Sequence, residues 1–250
     1  MSLFHKKSST DSLTNGVKLI TVAHPNSPIS EQFRTIRTNI HFVGVDQELK
    51  TIAFSSANQS EGKSTVTANV VVTWALAGKK VLFIDADLRR PTVHQTFGLN
   101  NNHGLTTILS SQADSIELTD FINPSGIDHL SIITSGPIPP NPSELLGSDR
   151  MTTLIKNVSQ AFDLVAIDVP PILEVPDTQV LSAHLDGLVL VVREGQTRKA
   201  AIARAVDMLK ISKTRILGFV LNDHNAKDAG YGYGYGYGYG YGYQAEKGSK

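Results

Sequence analysis

The sequence predicts an α/β protein, a mostly parallel sheet flanked by helices on both faces, followed by a disordered Tyr/Gly-rich C-terminal tail. Three observations predict it. Short, continuous apolar runs alternate with segments of helical spacing along most of the 250 residues, the pattern of strands buried on both faces. A Gly-Lys-Ser turn stands between the first of those runs and the helix-like segment after it. All seven tyrosines fall in one run, Tyr231 to Tyr243, in strict alternation with glycine.

Residues 1–27 are polar and read as a flexible arm. From Ser30, a candidate N-cap, Phe33, Ile36 and Ile40 recur at helical spacing. TIAFSS (51–56) is a β-rich run, and Lys63 to Ala77 follows as a helix in which Trp74 reads as core. Further strands are expected at 80–85, 129–135, 162–168, 186–192 and 215–222. Helical patterns recur at 148–160, 176–184 and 197–212, and residues 100–142 are irregular, with Gly104, Pro124, Gly126 and the turn GPIPPNP. The domain therefore spans 28–225, and 226–250 is a low-complexity tail too glycine-rich to bury its phenols.

Lys and Arg total 23, as do Asp and Glu, so no global basic field attracts nucleic acid. Without cysteine, disulfides and thiolate metal sites are excluded. The eight histidines show no ligand spacing. The first residues lack the apolar core of a signal peptide, and no apolar stretch is long enough to span a bilayer. A cytoplasmic location is the expectation.

The chemistry concentrates at strand ends. SANQSEGKST (56–65) leaves one strand and opens one helix, the context of a phosphate-binding loop formed by Ala57, Asn58, Gln59, Ser60, Glu61, Gly62, Lys63, Ser64 and Thr65. Lys63 is placed to reach the β- and γ-phosphates of ATP, and Ser64 to ligate Mg²⁺. Ala57 stands where such loops usually carry their first glycine. Asp85 and Asp87 end the strand VLFID, and Asp168 ends LVAID. Carboxylates buried there need a cation; a helix cap is the plainer alternative for Asp85 or Asp87 alone.

These three segments resemble the Walker A, Walker A′ and Walker B motifs of the bacterial tyrosine kinases, members of the deviant P-loop group with the MinD- and ParA-like ATPases. That family's Walker A motif accepts alanine first. EQFRTIR (31–37), NPSELL (141–146) and the tyrosine tail resemble further family elements, and the match runs from about Pro28 to the end. The likeness is greatest to the Gram-positive cytoplasmic kinases of capsule and exopolysaccharide synthesis. It implies a deviant P-loop fold and an ATP- and Mg²⁺-dependent autokinase acting on Tyr231, Tyr233, Tyr235, Tyr237, Tyr239, Tyr241 and Tyr243, and on other protein tyrosines. It also implies a ring of subunits paired through Glu31, Arg34 and Arg37. A separate membrane-spanning activator would recruit the kinase to the inner face of the membrane.

By the same resemblance, Lys63 stabilises the transferring phosphoryl group, and Asp85 and Asp168 hold the water shell of Mg²⁺. Asp85 is the candidate base and Asp87 its support, although spacing alone does not choose between them. Arg89 and Arg90 read equally well as phosphate contacts, subunit contacts or structural groups, and Arg193, Arg198 and Lys199 as nucleotide or ring contacts. Glu31 and Arg34 also fit a simple intrahelical pair. Two other functions remain open: a ParA/MinD-like positioning ATPase, and a nucleotide-binding scaffold whose tail is an interaction surface. Against the ATPase, the extra lysine of that group is absent at Ser56 and Ala57.

Overall fold

A computed structural model describes residues 14–45, 47–111 and 117–223. The tyrosine run, the expected tail from 226 and residues 1–13 of the expected arm lie outside the described residues. The order is α1 (Ile20–Ala23), α2 (Pro28–Val43), β1 (Thr51–Ser56), α3 (Lys63–Leu76), β2 (Val81–Asp85), α4 (Val93–Thr96) and α5 (Leu105–Ser110). A 3₁₀ turn then leads to β3 (Asn123–Pro124), β4 (Leu130–Ile133), α6 (Pro142–Leu146) and α7 (Asp149–Ala161). The chain continues through β5 (Leu164–Asp168), α8 (Asp177–Ser182), β6 (Gly187–Arg193), α9 (Lys199–Ile211) and β7 (Ile216–Asn222).

The strands form one seven-stranded sheet in the order β3-β4-β2-β5-β1-β6-β7. It is parallel except for β3, which runs antiparallel to β4. Adjacent strands β1 and β5 send their connections in opposite directions, toward β2 and β6. Their carboxyl ends therefore open a crevice at the switch point, where ligands of such sheets bind.

The pleat divides the core into two layers. Ile52, Phe54, Val81, Phe83, Val189 and Val191 face α2 and α3. Ala53, Leu82, Ile84, Val165, Ile167 and Leu190 face the layer of α5, α7, α8 and α9. Helix α3 is apolar almost all round, and residues from Val66 through Ala75 are buried, Trp74 among them as expected. Truncating a fully buried Phe54 or Phe83 to alanine costs about 3–5 kcal/mol.

Two local expectations change. Helix α2 starts two residues earlier than Ser30: Ser27 is its N-cap, accepting from Ser30 N, and Pro28 takes the first turn. Ser30 instead sends its hydroxyl to His24 O at 2.7 Å. The stretch 17–27, read from sequence as part of a flexible arm, is fixed to the domain. Thr21 is buried and bonds Asn69 Oδ1 through N and Oγ1, at 3.1 and 3.0 Å. Asn69 returns its amide to Lys18 O at 2.9 Å, and Val17 N reaches Thr96 Oγ1 at 3.0 Å. Polar composition hid this, because the anchoring runs through hydrogen bonds rather than an apolar stripe.

Candidate active site

The loop after β1 turns through two left-handed residues, Ser60 (φ 61°) and Gly62 (φ 89°). Gly62 caps α3, and a Cβ there would meet Asn222 Nδ2 at 1.9 Å, so both conformation and space require glycine. Glu61 explains how Ala57 is accommodated. Its carboxylate is buried and accepts from Ala57 N at 3.0 Å, Asn58 Nδ2 at 3.0 Å and Thr197 Oγ1 at 2.7 Å. At Ala57 the loop is held by an internal acceptor rather than by a glycine hinge. Sequence reasoning placed Glu61 in the loop but missed this role, and the signal was available: a carboxylate inside an anion-binding turn has to be neutralised by donors.

The rim of the loop is tied to neighbouring strand ends. Arg193 donates Nη1 to Ser60 O at 3.0 Å and pairs with Asp223 at 2.8 Å. Gln59 N donates to Glu174 Oε1 at 2.9 Å, and Arg90 donates to Gln59 Oε1.

Inside, Lys63 Nζ lies 3.1 Å from Asp87 Oδ2 and 3.1 Å from Asp168 Oδ2. Ser64 Oγ donates to Asp168 Oδ2 at 2.6 Å. Asp85 is fully buried. Its Oδ1 accepts from Asp87 N at 3.2 Å, and its Oδ2 from Thr92 N at 3.1 Å and Val93 N at 3.0 Å. Asp85 thereby ties down the start of α4, whose N-cap residue is Thr92. Asp87, two residues on, accepts from Arg90 N at 3.1 Å and lines the cleft.

Charge and burial work against each other here. Burial pushes the Asp85 carboxyl up to about 8, with the charges of Asp168 and Asp87 adding to it and Val93 N–H and Lys63 opposing. Burial also raises Asp168, against the pull of Lys63 and the Ser64 hydroxyl. Burial alone would lower Lys63, but Asp168, Asp87 and Asp85 outweigh it and hold its ammonium well above the ordinary range. Three carboxylates share one lysine, an arrangement that a divalent cation would relieve.

The cleft is about 320 Å³, lined among others by Ser60, Gly62, Lys63, Ser64, Asp87 and Arg193. Loop, lysine, hydroxyl and acids fit a magnesium nucleotide. Among the described residues no three His, Cys, Asp or Glu side chains close a metal site by themselves. A magnesium ion would complete its shell from Ser64, phosphate oxygens and water, as this ion commonly does.

Other expected residues divide cleanly. Arg89 is structural: Nε and Nη2 bond the buried Asp177 at 2.8 and 3.1 Å, and Ser143 of the NPSELL segment donates to the same carboxylate. Arg90 and Arg193 line the cleft. Arg198 and Lys199 instead stand at the N-cap and first residue of α9. On α2, Arg34 pairs with Glu31 within the helix and donates to Pro25 O at 2.6 Å. Arg37 reaches across to Thr73 O at 2.7 Å.

A family profile described as an AAA domain matches residues 49–214. Tyrosine-protein kinase YwqD of Bacillus subtilis (strain 168) is 47% identical over 204 residues, covering 82% of this chain and 85% of that protein. Putative tyrosine-protein kinase CapB of Staphylococcus aureus is 38% identical over 198 residues, covering 79% and 86%. The solved kinase domain of Escherichia coli tyrosine kinase ETK superposes with a TM-score of 0.80 at 33% identity, over 95% of this chain and 89% of that one. The crystal structure of the chimerical protein CapA2B2 gives 0.76 at 36%, over 85% and 96%. A MinD:MinC complex from Aquifex aeolicus, at 0.57 and 19% identity over 69% and 67%, shares the fold alone.

Proposed function

The chain belongs to the bacterial tyrosine-protein kinases of the P-loop class, and from that premise we propose how its site works. It is an ATP-dependent protein tyrosine kinase. We propose that its substrates include its own tail tyrosines, Tyr231 to Tyr243, and that it regulates capsule or exopolysaccharide synthesis. The observation that carries the reading is Lys63 held 3.1 Å from both Asp87 and Asp168 at the mouth of a loop built for phosphate.

Phosphoryl transfer asks for positioning and neutralised charge. The backbone N–H groups of Ser60 to Thr65 and the start of α3 would hold the phosphates of ATP, with Ala57, Asn58 and Gln59 completing the loop. Lys63 would swing from the carboxylates onto the γ-phosphoryl oxygens. Ser64 would ligate Mg²⁺, with Asp168 and Asp85 behind it, and bound Mg²⁺ would neutralise the phosphate charge. The tyrosine oxygen then bonds to the γ-phosphorus, the bond to the bridging oxygen breaks, ADP departs, and the phenolic proton passes to a carboxylate. Of the two candidates, Asp87 is the one that faces the cleft; all three backbone donors to Asp85 bind it in place behind Asp87.

We further propose a ring through the α2 surface of Glu31, Arg34 and Arg37. A separate membrane-spanning activator would bring the kinase to the inner face of the membrane; the solved relative described as a chimerical protein supports a second polypeptide beside the kinase. An anti-phosphotyrosine blot of purified protein with ATP and Mg²⁺, with and without the activator's cytoplasmic segment, tests the function. Signal is expected from wild type and none from Lys63→Met, with the chain in which all seven tyrosines are Phe as the blank. Equal signal from wild type and Lys63→Met contradicts it.

A further inference from the structure

Strand β7 ends one side of the sheet. Phe219 and Leu221 on it are 56% and 52% exposed. Two residues apart, they share one face of the strand, while Val220 between them turns into the core. Among the described residues β7 pairs with β6 alone, so its outer edge offers backbone donors and acceptors beside two large apolar side chains. Its sequence, ILGFVLN, holds no charge and no proline, and an irregularity at Gly218 is its one edge-blunting device. Such an edge is a template for another strand.

The described chain stops at Asp223, the first residue after β7, in a left-handed turn conformation (φ 61°). HNAKDAG (224–230) follows, and then the Tyr–Gly run. That link is long enough to return the chain antiparallel along β7. In an extended strand every second residue points the same way, so Tyr231 to Tyr243 would turn all seven phenols to one face. We propose that this run of the same chain docks as an added strand on the free edge of β7, laying tyrosine rings over Phe219 and Leu221.

Aromatic cross-strand pairs favour the docking, and the intervening glycines weaken it, so the added strand is reversible. The run of 13 residues is longer than the seven of β7. Because its pattern repeats every two residues, registers two apart are equivalent, and different tyrosines lie beyond the edge in turn. Phosphorylation would add about −1.5 to −2 charges per tyrosine and expel the run from the apolar edge. That consequence rests on the kinase reading; the docking does not.

Hydrogen exchange on the full, unphosphorylated, nucleotide-free chain tests it, comparing wild type with a chain in which the seven tail tyrosines are Ser. Amides of 216–222 are expected to exchange about tenfold more slowly in wild type, with the rest of the sheet unchanged and no dependence on protein concentration. Leu221→Lys should abolish the protection of 231–243 at unchanged Tm; if that variant is destabilised, the Tyr-to-Ser comparison decides alone. Equal exchange at 216–222 in both chains overturns the proposal. So does protection that fades on dilution, which would assign the edge to a neighbouring copy.

Discussion

Asn222 donates its side-chain amide to Glu61 O at 3.0 Å and thereby closes over Gly62. The last residue of β7 thus holds the turn that opens α3, although the two are 160 positions apart in sequence. With Arg193 on Ser60 O, two consecutive loop residues, Ser60 and Glu61, are braced by the ends of β6 and β7. These contacts take up loop carbonyl oxygens and hold the turn in shape without using the N–H groups of Ser60 to Ser64.

Gly62→Ala should bind nucleotide poorly while still folding. Its Cβ meets Asn222 Nδ2 at 1.9 Å, and alanine at φ 89° costs about 1–3 kcal/mol. Calorimetric titration with MgADP checks this. Adding Asn222→Ala should restore part of the affinity by removing the collision, and no more, because the backbone strain remains.

Arg89 and Arg90, adjacent in sequence, should fail differently. Arg89→Ala leaves the buried carboxylate of Asp177 with Ser143 as its remaining side-chain donor and is expected to cost about 1–3 kcal/mol in urea unfolding. Arg90→Ala should stay within about 0.5 kcal/mol of wild type while raising KM for ATP. Equal stabilities for the two variants contradict the assignment.

Stability of the metal-free protein should fall as pH rises. Asp85 is raised in the folded state from 3.8 to about 8, so the native protein holds a proton that the unfolded chain has released. That contribution is complete below the unfolded value and is lost between roughly pH 4 and 8. His94, lowered by burial, acts oppositely, costing stability as pH falls through its ordinary value. Chemical unfolding from pH 5 to 8, wild type against Asp85→Asn, isolates the carboxyl; the difference between the two curves should change with pH in wild type's disfavour. A pH-independent difference contradicts the shift.

The ring proposal makes a separable prediction. Glu31→Ala with Arg34→Ala removes an exposed helical pair and the Arg34 bond to Pro25 O, together worth about 1 kcal/mol, so Tm should fall only slightly while sedimentation shows dissociated subunits. Arg37→Ala should also lower Tm, because its bond to Thr73 O is lost.

Six of the seven described strands were readable because each centres on an apolar run: TIAFSS is β1 to the residue, and GLVLVV forms nearly all of β6; the two-residue β3, Asn123–Pro124, lies in the stretch read as irregular and carries no such run. What escaped the sequence was polar and distant. The strand order depends on crossovers that no local pattern encodes. The short helices α4 to α6, four to six residues each, lack enough turns for periodicity to register. Lys63, Ser64, Asp87 and Asp168 were found from position, because acids at strand ends converge in a parallel sheet. Asp85 was found too, but its three backbone donors lie seven and eight residues downstream as well as beside it, and only the folded turn brings them onto its carboxylate. The separate duties of Arg89 and Arg90 were likewise undecidable until Asp177 came into place.

The most direct measurement is a crystal structure of the protein with MgADP. It should show magnesium on Ser64 Oγ at about 2.0–2.1 Å, Asp168 and Asp85 behind its water shell, and Lys63 Nζ moved off Asp87 and Asp168 onto phosphate oxygen. Lys63 still seated between the two carboxylates, with nucleotide bound elsewhere, would contradict the account.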